Sequence, residues 1–176
     1  SQPITSLLKA LQNLFGKHED IAQVLKFKIV GRVSPSHISE IKARVPELNV
    51  EVIEYVPHLQ AIQQMLNADL LLNSLAETEN SALLISGKLM EYIASGNPVL
   101  CLGNPQGDAA HLLHNFNNAA VIARKDIDLI CAFIEKQFEQ WKNGAPQKTD
   151  QTIQQYSRRV TAKQLAELIQ STIAKK

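Results

Sequence analysis

Residues 84 to 103 read LISGKLMEYIASGNPVLCLG, and within this stretch Gly87, Lys88 and Glu91 fall close together at the start of an apolar-periodic segment. Free backbone amides at a helix start favour an anion, and a glycine there lets a ligand come close to the backbone. The Lys88 ammonium adds positive charge at that end. Glu91, one turn later, is a carboxylate expected to be half-buried and able to accept a pair of hydrogen bonds from vicinal hydroxyls. A plainer reading stands beside this one: a simple turn, a solvated lysine, and a glutamate near the positive end of a helix.

A second glycine-bearing loop carries Gly103, Pro105, Gly107 and Asp108. It too precedes a helix, and the two helix starts could flank one phosphorylated ligand. Asp108 is read first as the helix cap, which needs no ligand. His58 opens a helix after EYVP and fits capping or a fixed loop geometry as well as ligand contact. His111 and His114 lie three apart, but no Asp, Glu or Cys falls at a spacing that completes a metal set. Asp69 is read as a turn or cap residue, and Met65, Met90, Phe133 and Phe138 as core. No Gly-x-Gly-x-x-Gly or Walker pattern is present, and spacing picks out no Ser/His/Asp set.

The elements that must carry these residues alternate between helices and short apolar strands. Strands are predicted at 25–31, around 50–55, at 68–75, at 98–103 and in AAVIAR, and all are read as apolar on both faces. Helices are predicted in PITSLLKALQNLFG, in SPSHISEIKARV with Ser34 or Ser36 as cap, in PHLQAIQQML, in the stretch ending at SGNP, in GDAAHLLHNF, and in DLICAFIEKQFEQWKNG up to Gly144. A polar linker at 145–150 precedes a closing helix with Thr161 as its expected cap. This pattern predicts one α/β domain over residues 1–176, a Rossmann-like three-layer sandwich with a mostly parallel sheet; residues 156–176 form its helical tail. In such sheets ligands gather at the carboxyl ends of the strands, here the loops after residues 31, 55, 74 and 103.

Composition narrows the function classes. The chain has 176 residues, 45% hydrophobic and 20% charged, with a formal net charge of +1. Residues 1–123 carry 8 Lys/Arg against 11 Asp/Glu, and residues 124–176 carry 10 against 6. That mild positive tail lies on patterned helices, so nucleic acid is not expected as a partner. Cys101 and Cys131 sit in apolar runs without a metal or redox spacing, which suits two core thiols in a reducing compartment. No apolar run approaches the length of a membrane span, and no signal-peptide pattern opens the chain.

KIVGRV at 28–33, EYVPHLQAIQQMLNADLLL at 54–72, SGKLMEYIASGNPVLCLG at 86–103 and the GD pair at 107–108, in this order, resemble the C-terminal, nucleotide-sugar-binding domain of a GT-B glycosyltransferase. The resemblance is to the retaining glycosyl transferase group 1 (family 4), and it runs through most of the chain. It implies that Glu91 binds the ribose hydroxyls of a UDP- or GDP-sugar, that Gly87 and Lys88 lie beside the diphosphate, and that Leu89 begins the helix under them. Tyr55 and Val56 would pass the base, and Gly107 and Asp108 would lie near the sugar diphosphate. Lys88 and Glu91 would serve catalysis by stabilising the leaving group and positioning the donor.

The same resemblance implies no tightly bound cofactor and no metal, a glycan or lipid-linked acceptor, and an N-terminal acceptor domain outside this sequence. It implies a cytoplasmic protein, at the inner face of a membrane in its full-length form. It further implies a sheet lacking the family's first strand, with self-association through the exposed edge as one consequence. One departure is local: many members carry an earlier glutamate eight positions before the ribose-binding one, and here Leu83 stands there, with Glu77 and Glu79 displaced in register. A nucleotide-sugar epimerase half-domain and a non-catalytic α/β binding module are the alternatives.

Overall fold

The computed structural model describes residues 4–76, 81–144 and 156–173. The order is α1 (Thr5–Phe15), α2 (Glu19–Val24), β1 (Lys26–Val30), α3 (Pro35–Arg44), β2 (Asn49–Ile53), α4 (His58–Leu66), β3 (Leu71–Ser74), a 3-10 turn (Ser81–Leu83), α5 (Gly87–Ser95), β4 (Val99–Leu102), α6 (Asp108–Leu113), β5 (Ala119–Ile122), α7 (Ile127–Lys142) and α8 (Arg158–Ile173). All strand pairs are parallel, and the protein is α/β with a Rossmann-like three-layer arrangement. The strands form two sheets, β1–β2 and β3–β4–β5.

Alternation along β3 to β5 builds two cores. Leu72, Leu100, Leu102, Ala120 and Ile122 face one side, against α1 and α7, where Leu8, Leu11, Leu14, Ile130 and Ile134 are buried. Leu71, Val99, Cys101, Ala119 and Val121 face the other, against α5 and α6 through Leu89, Ile93, Ala109 and Leu113. Both faces of these strands are therefore apolar, as the sequence pattern predicts. For β1 and β2 the expectation fails. Phe27, Ile29 and Val50 join the α1 side, but Lys26 and Lys28 reach Glu51 at 3.5 and 3.7 Å. Lys28 Nζ also donates to Gln64 Oε1 of α4 at 3.2 Å, so that layer is polar.

The first core takes side chains from both sheets, so the two sheets rest on one helical layer. Right-handed crossovers then have a definite consequence. The β1–α3–β2 unit winds over one face and steps one way; β3–α5–β4 and β4–α6–β5 wind over the other and step the opposite way. This places β1 and β3 at the inner edges, where the winding reverses. Such a switch point is where doubly wound sheets take their ligands.

Four local readings are corrected. Helix α2 is absent from the sequence prediction because only Ile21 of its six residues is buried, which leaves no periodic signal. The last helix begins at Arg158, and the Ser157 hydroxyl accepts from Val160 N at 3.3 Å; the Thr161 hydroxyl instead donates back to the Ser157 carbonyl at 3.1 Å, so Thr161 is not the cap. At α6 the cap position belongs to Gly107, and Asp108 is the first helical residue, with no side-chain capping bond. At α4 the cap position belongs to Pro57, and His58 is the first helical residue, with no side-chain capping bond. As predicted, Ser34 accepts from His37 N ahead of Pro35, and Gly144 ends α7 with a φ of 62°.

Candidate functional site

The start of α5 is anchored to the sheet by a polar chain that begins inside β3. Asn73 is buried among leucines, and its Nδ2 donates to Ser86 Oγ at 3.2 Å. Ser86 is the N-cap of α5, and its hydroxyl accepts from Leu89 N at 3.2 Å. Gly87 and Lys88 are thereby held at the carboxyl end of β3. Nothing lies within 4 Å of the place a Cβ on Gly87 would occupy, so the space beside its Cα is open.

Leu89 does not begin the helix; Gly87 does. The Leu89 amide is already spent on Ser86, and its side chain is 0% exposed in the core beneath. Leu89 therefore supports the site from below and cannot touch a ligand through its side chain. The amides left for an anion are those of Gly87 and Lys88. Glu91 is exposed, a correction to the expected half-buried carboxylate. It lies three residues after Lys88, which puts both side chains on one solvent-facing side of α5. The other side of that turn is apolar: Leu89, Ile93 and the half-buried Tyr92 face inward, and burial, with the nearby Glu91 charge second, pushes the Tyr92 hydroxyl pKa up.

The loop after β4 is drawn against the same rim. A Cβ on Gly107 would stand 2.7 Å from the Ala82 carbonyl oxygen, so the α6 start packs backbone to backbone on the 3-10 turn that leads to α5. Gly107 is thus explained by close approach, and it brings Asp108, which is exposed, beside the α5 approach. On the other side of the switch point, Tyr55 is 75% exposed in the loop after β2, with Val56 half-buried beside it. The structure thus brings Gly87, Lys88, Glu91 and the Gly107–Asp108 turn to one edge of β3–β4. It places Tyr55 and Val56 at the corresponding end of the other sheet. Glu77 and Glu79 lie outside the described residues. His111 and His114 are both exposed, and among the described residues no three His, Cys, Asp or Glu side chains form a group that could hold a metal ion.

Three residues of this edge escaped the sequence reading. Asn73 and Ser86 make the anchor just described; a polar residue inside the apolar run LLLNSL was the available signal. The third is Arg124, just beyond β5, whose Nη2 donates to Ser74 Oγ at 2.9 Å and to the Leu75 carbonyl. A single arginine after a strand carries no spacing to reveal it.

Comparison with models of protein families and with curated proteins finds no match to this chain.

Proposed function

We propose that this chain is the donor-binding half of a glycosyltransferase, holding a nucleoside diphosphate sugar for transfer to a hydroxyl acceptor. The observation that carries the reading is the α5 start: two amides and an open glycine at the carboxyl edge of the sheet, with Lys88 and Glu91 exposed one turn apart. The amides and the ammonium suit a diphosphate, whose charge grows as the sugar bond breaks, so they stabilise the departing group more than the bound donor. Glu91 suits the ribose hydroxyls and holds the donor in place. Its loss acts on donor affinity first and on turnover through misplacement.

The test is titration of UDP, GDP and ADP while following amide NMR shifts. Gly87, Lys88 and Glu91 are expected to move together, and Glu91→Gln to raise the dissociation constant about tenfold, the equivalent of one lost charge-assisted hydrogen bond. Shifts confined to another part of the chain, or none at millimolar nucleotide, would count against donor binding.

The partner reading rests on apolar residues and sheet edges. Tyr55 and Leu59 after β2, and Leu83, Leu84 and Ile85 ahead of α5, are exposed around the same edge of the molecule. Exposed apolar side chains rimming a polar site suit a second protein surface, here an acceptor domain closing over the donor. The inner strands offer a second contact. Gly31 N donates to Ile53 O and Leu71 N to Pro98 O, so the parity of the parallel ladders turns the Lys28 and Leu72 amides away from β2 and β4. Hydrogen exchange is expected to be much faster at Lys28 and Leu72 than at their neighbours Ile29 and Leu71, and light scattering to show mass rising with concentration. A monomer mass that stays constant removes self-association through these edges.

A further inference from the structure

We propose that Arg124 is a positioning residue for the anion-binding start of α5, a role that rests on the reading of that start as a diphosphate seat. Arg124 follows β5, yet it bonds to β3, two strands away in the β3–β4–β5 order. Gly103, the residue after the intervening β4, is buried and so close to Leu75 that a Cβ there would stand 3.2 Å from Leu75 Cδ1. The length of the arginine lets it reach β3 across the width of β4.

The position of the bridge matters more than its length. Leu75 N gives a ladder bond to Leu102 O at 2.9 Å one residue past the end of β3, and there the chain leaves the sheet for the 3-10 turn and α5. Arg124 Nη2 donates to both the Leu75 carbonyl and the Ser74 hydroxyl, and the planar, pre-organised guanidinium fixes the direction of departure more firmly than a flexible ammonium would. The returning chain is held at Ala82 by its contact with Gly107 and at Ser86 by Asn73. Arg124 therefore sets the first of three fixed points on the segment that presents Gly87 and Lys88, and it does so from the far strand of the sheet.

The experiment compares Arg124→Met, which keeps the stem and removes every donor, with Arg124→Lys, which keeps the charge and loses the fork. With the wild-type far-UV circular dichroism retained, Arg124→Met is expected to weaken binding of UDP, GDP or ADP about tenfold. Its ligand-free Gly87 and Lys88 amide signals should be displaced, and exchange at residues 82–88 faster, while Leu100 and Leu102 stay protected. Arg124→Lys should recover part of the affinity. Should Arg124→Met fail to fold, Arg124→Lys carries the test, with a several-fold weakening and the same local exchange change expected. Unchanged affinity and unchanged exchange at 82–88 in the folded variant overturn the proposal. If the wild type binds none of the three nucleotides, the donor reading fails, and the ligand-free exchange still decides: faster at 82–88 sustains the positioning role, unchanged ends it.

Discussion

Replacing Leu89 by alanine should lower the unfolding free energy by about 3 kcal/mol, within the range measured for leucine truncation in well-packed cores. Leu89 has no exposed surface and shares its core with Leu71, Leu75, Ile93, Val99 and Cys101. Two of these neighbours belong to the β3 segment and two to β4, both fixed by the parallel ladder, so the site has little freedom to collapse around the cavity. Urea denaturation would show the loss as a lower midpoint with an unchanged slope. The functional consequence separates this residue from Glu91. Leu89→Ala weakens the platform under Gly87 and Lys88, so nucleotide affinity measured well below the unfolding midpoint should fall by less than it does in Glu91→Gln. A loss of stability below about 1 kcal/mol would mean that the core beneath α5 is not close-packed, and the support assigned to Leu89 would go with it.

The layer architecture was legible because burial leaves a rhythm. Runs such as LLL at 70–72 and PVLCL at 98–102 are apolar at consecutive positions, as a short strand covered on both sides requires, and β3 and β4 have that environment. The same reasoning failed at β1, where Lys26 and Lys28 alternate with Phe27 and Ile29 and face a polar layer; the alternation was visible in KFKIV and pointed to one covered face. Strand order left no such trace. Neither the division into two sheets nor the placing of β1 and β3 at the inner edges is written in local periodicity, since both depend on which crossover lies on which face. The closing helix was misread at its start because α8 has no buried residue, and Arg158 and Arg159 in its first turn oppose the helix dipole instead of marking it.

For the site, Gly87, Lys88 and Glu91 were visible as residue types in a short window, whereas their supports were not. Ser86, Asn73 and Arg124 act across 13 and 50 residues of sequence. A bond of that span has no spacing to recognise. Gly107 drew notice as an amide-rich turn, and its close contact with Ala82 is a different reason for the same residue.

Raising the pH from 9 to 11 should cost the protein about 2 kcal/mol through Cys101 alone. Its side chain is fully buried in β4, and burial pushes the thiol from the ordinary 9.0 up to about 11; the Asn73 hydrogen bond and the Arg124 charge act the other way and do not overcome it. The sign follows from proton binding. Between the two values the unfolded chain has released this proton while the folded chain still holds it, so stability is fully present below pH 9 and is lost as pH rises toward 11. Burial also pushes the Cys131 thiol up, and the Tyr92 hydroxyl, so both add slopes of the same sign. The measurement is therefore a difference: urea denaturation of the wild type and of Cys101→Ala at steps from pH 8 to 11. The variant should begin less stable, because it leaves a small cavity, and should lose less with each step. Parallel pH profiles would show that the Cys101 thiol ionises as readily in the folded protein as in the unfolded chain. The core between β4 and α5 would then be open to water, contrary to the packing that holds the α5 start in place.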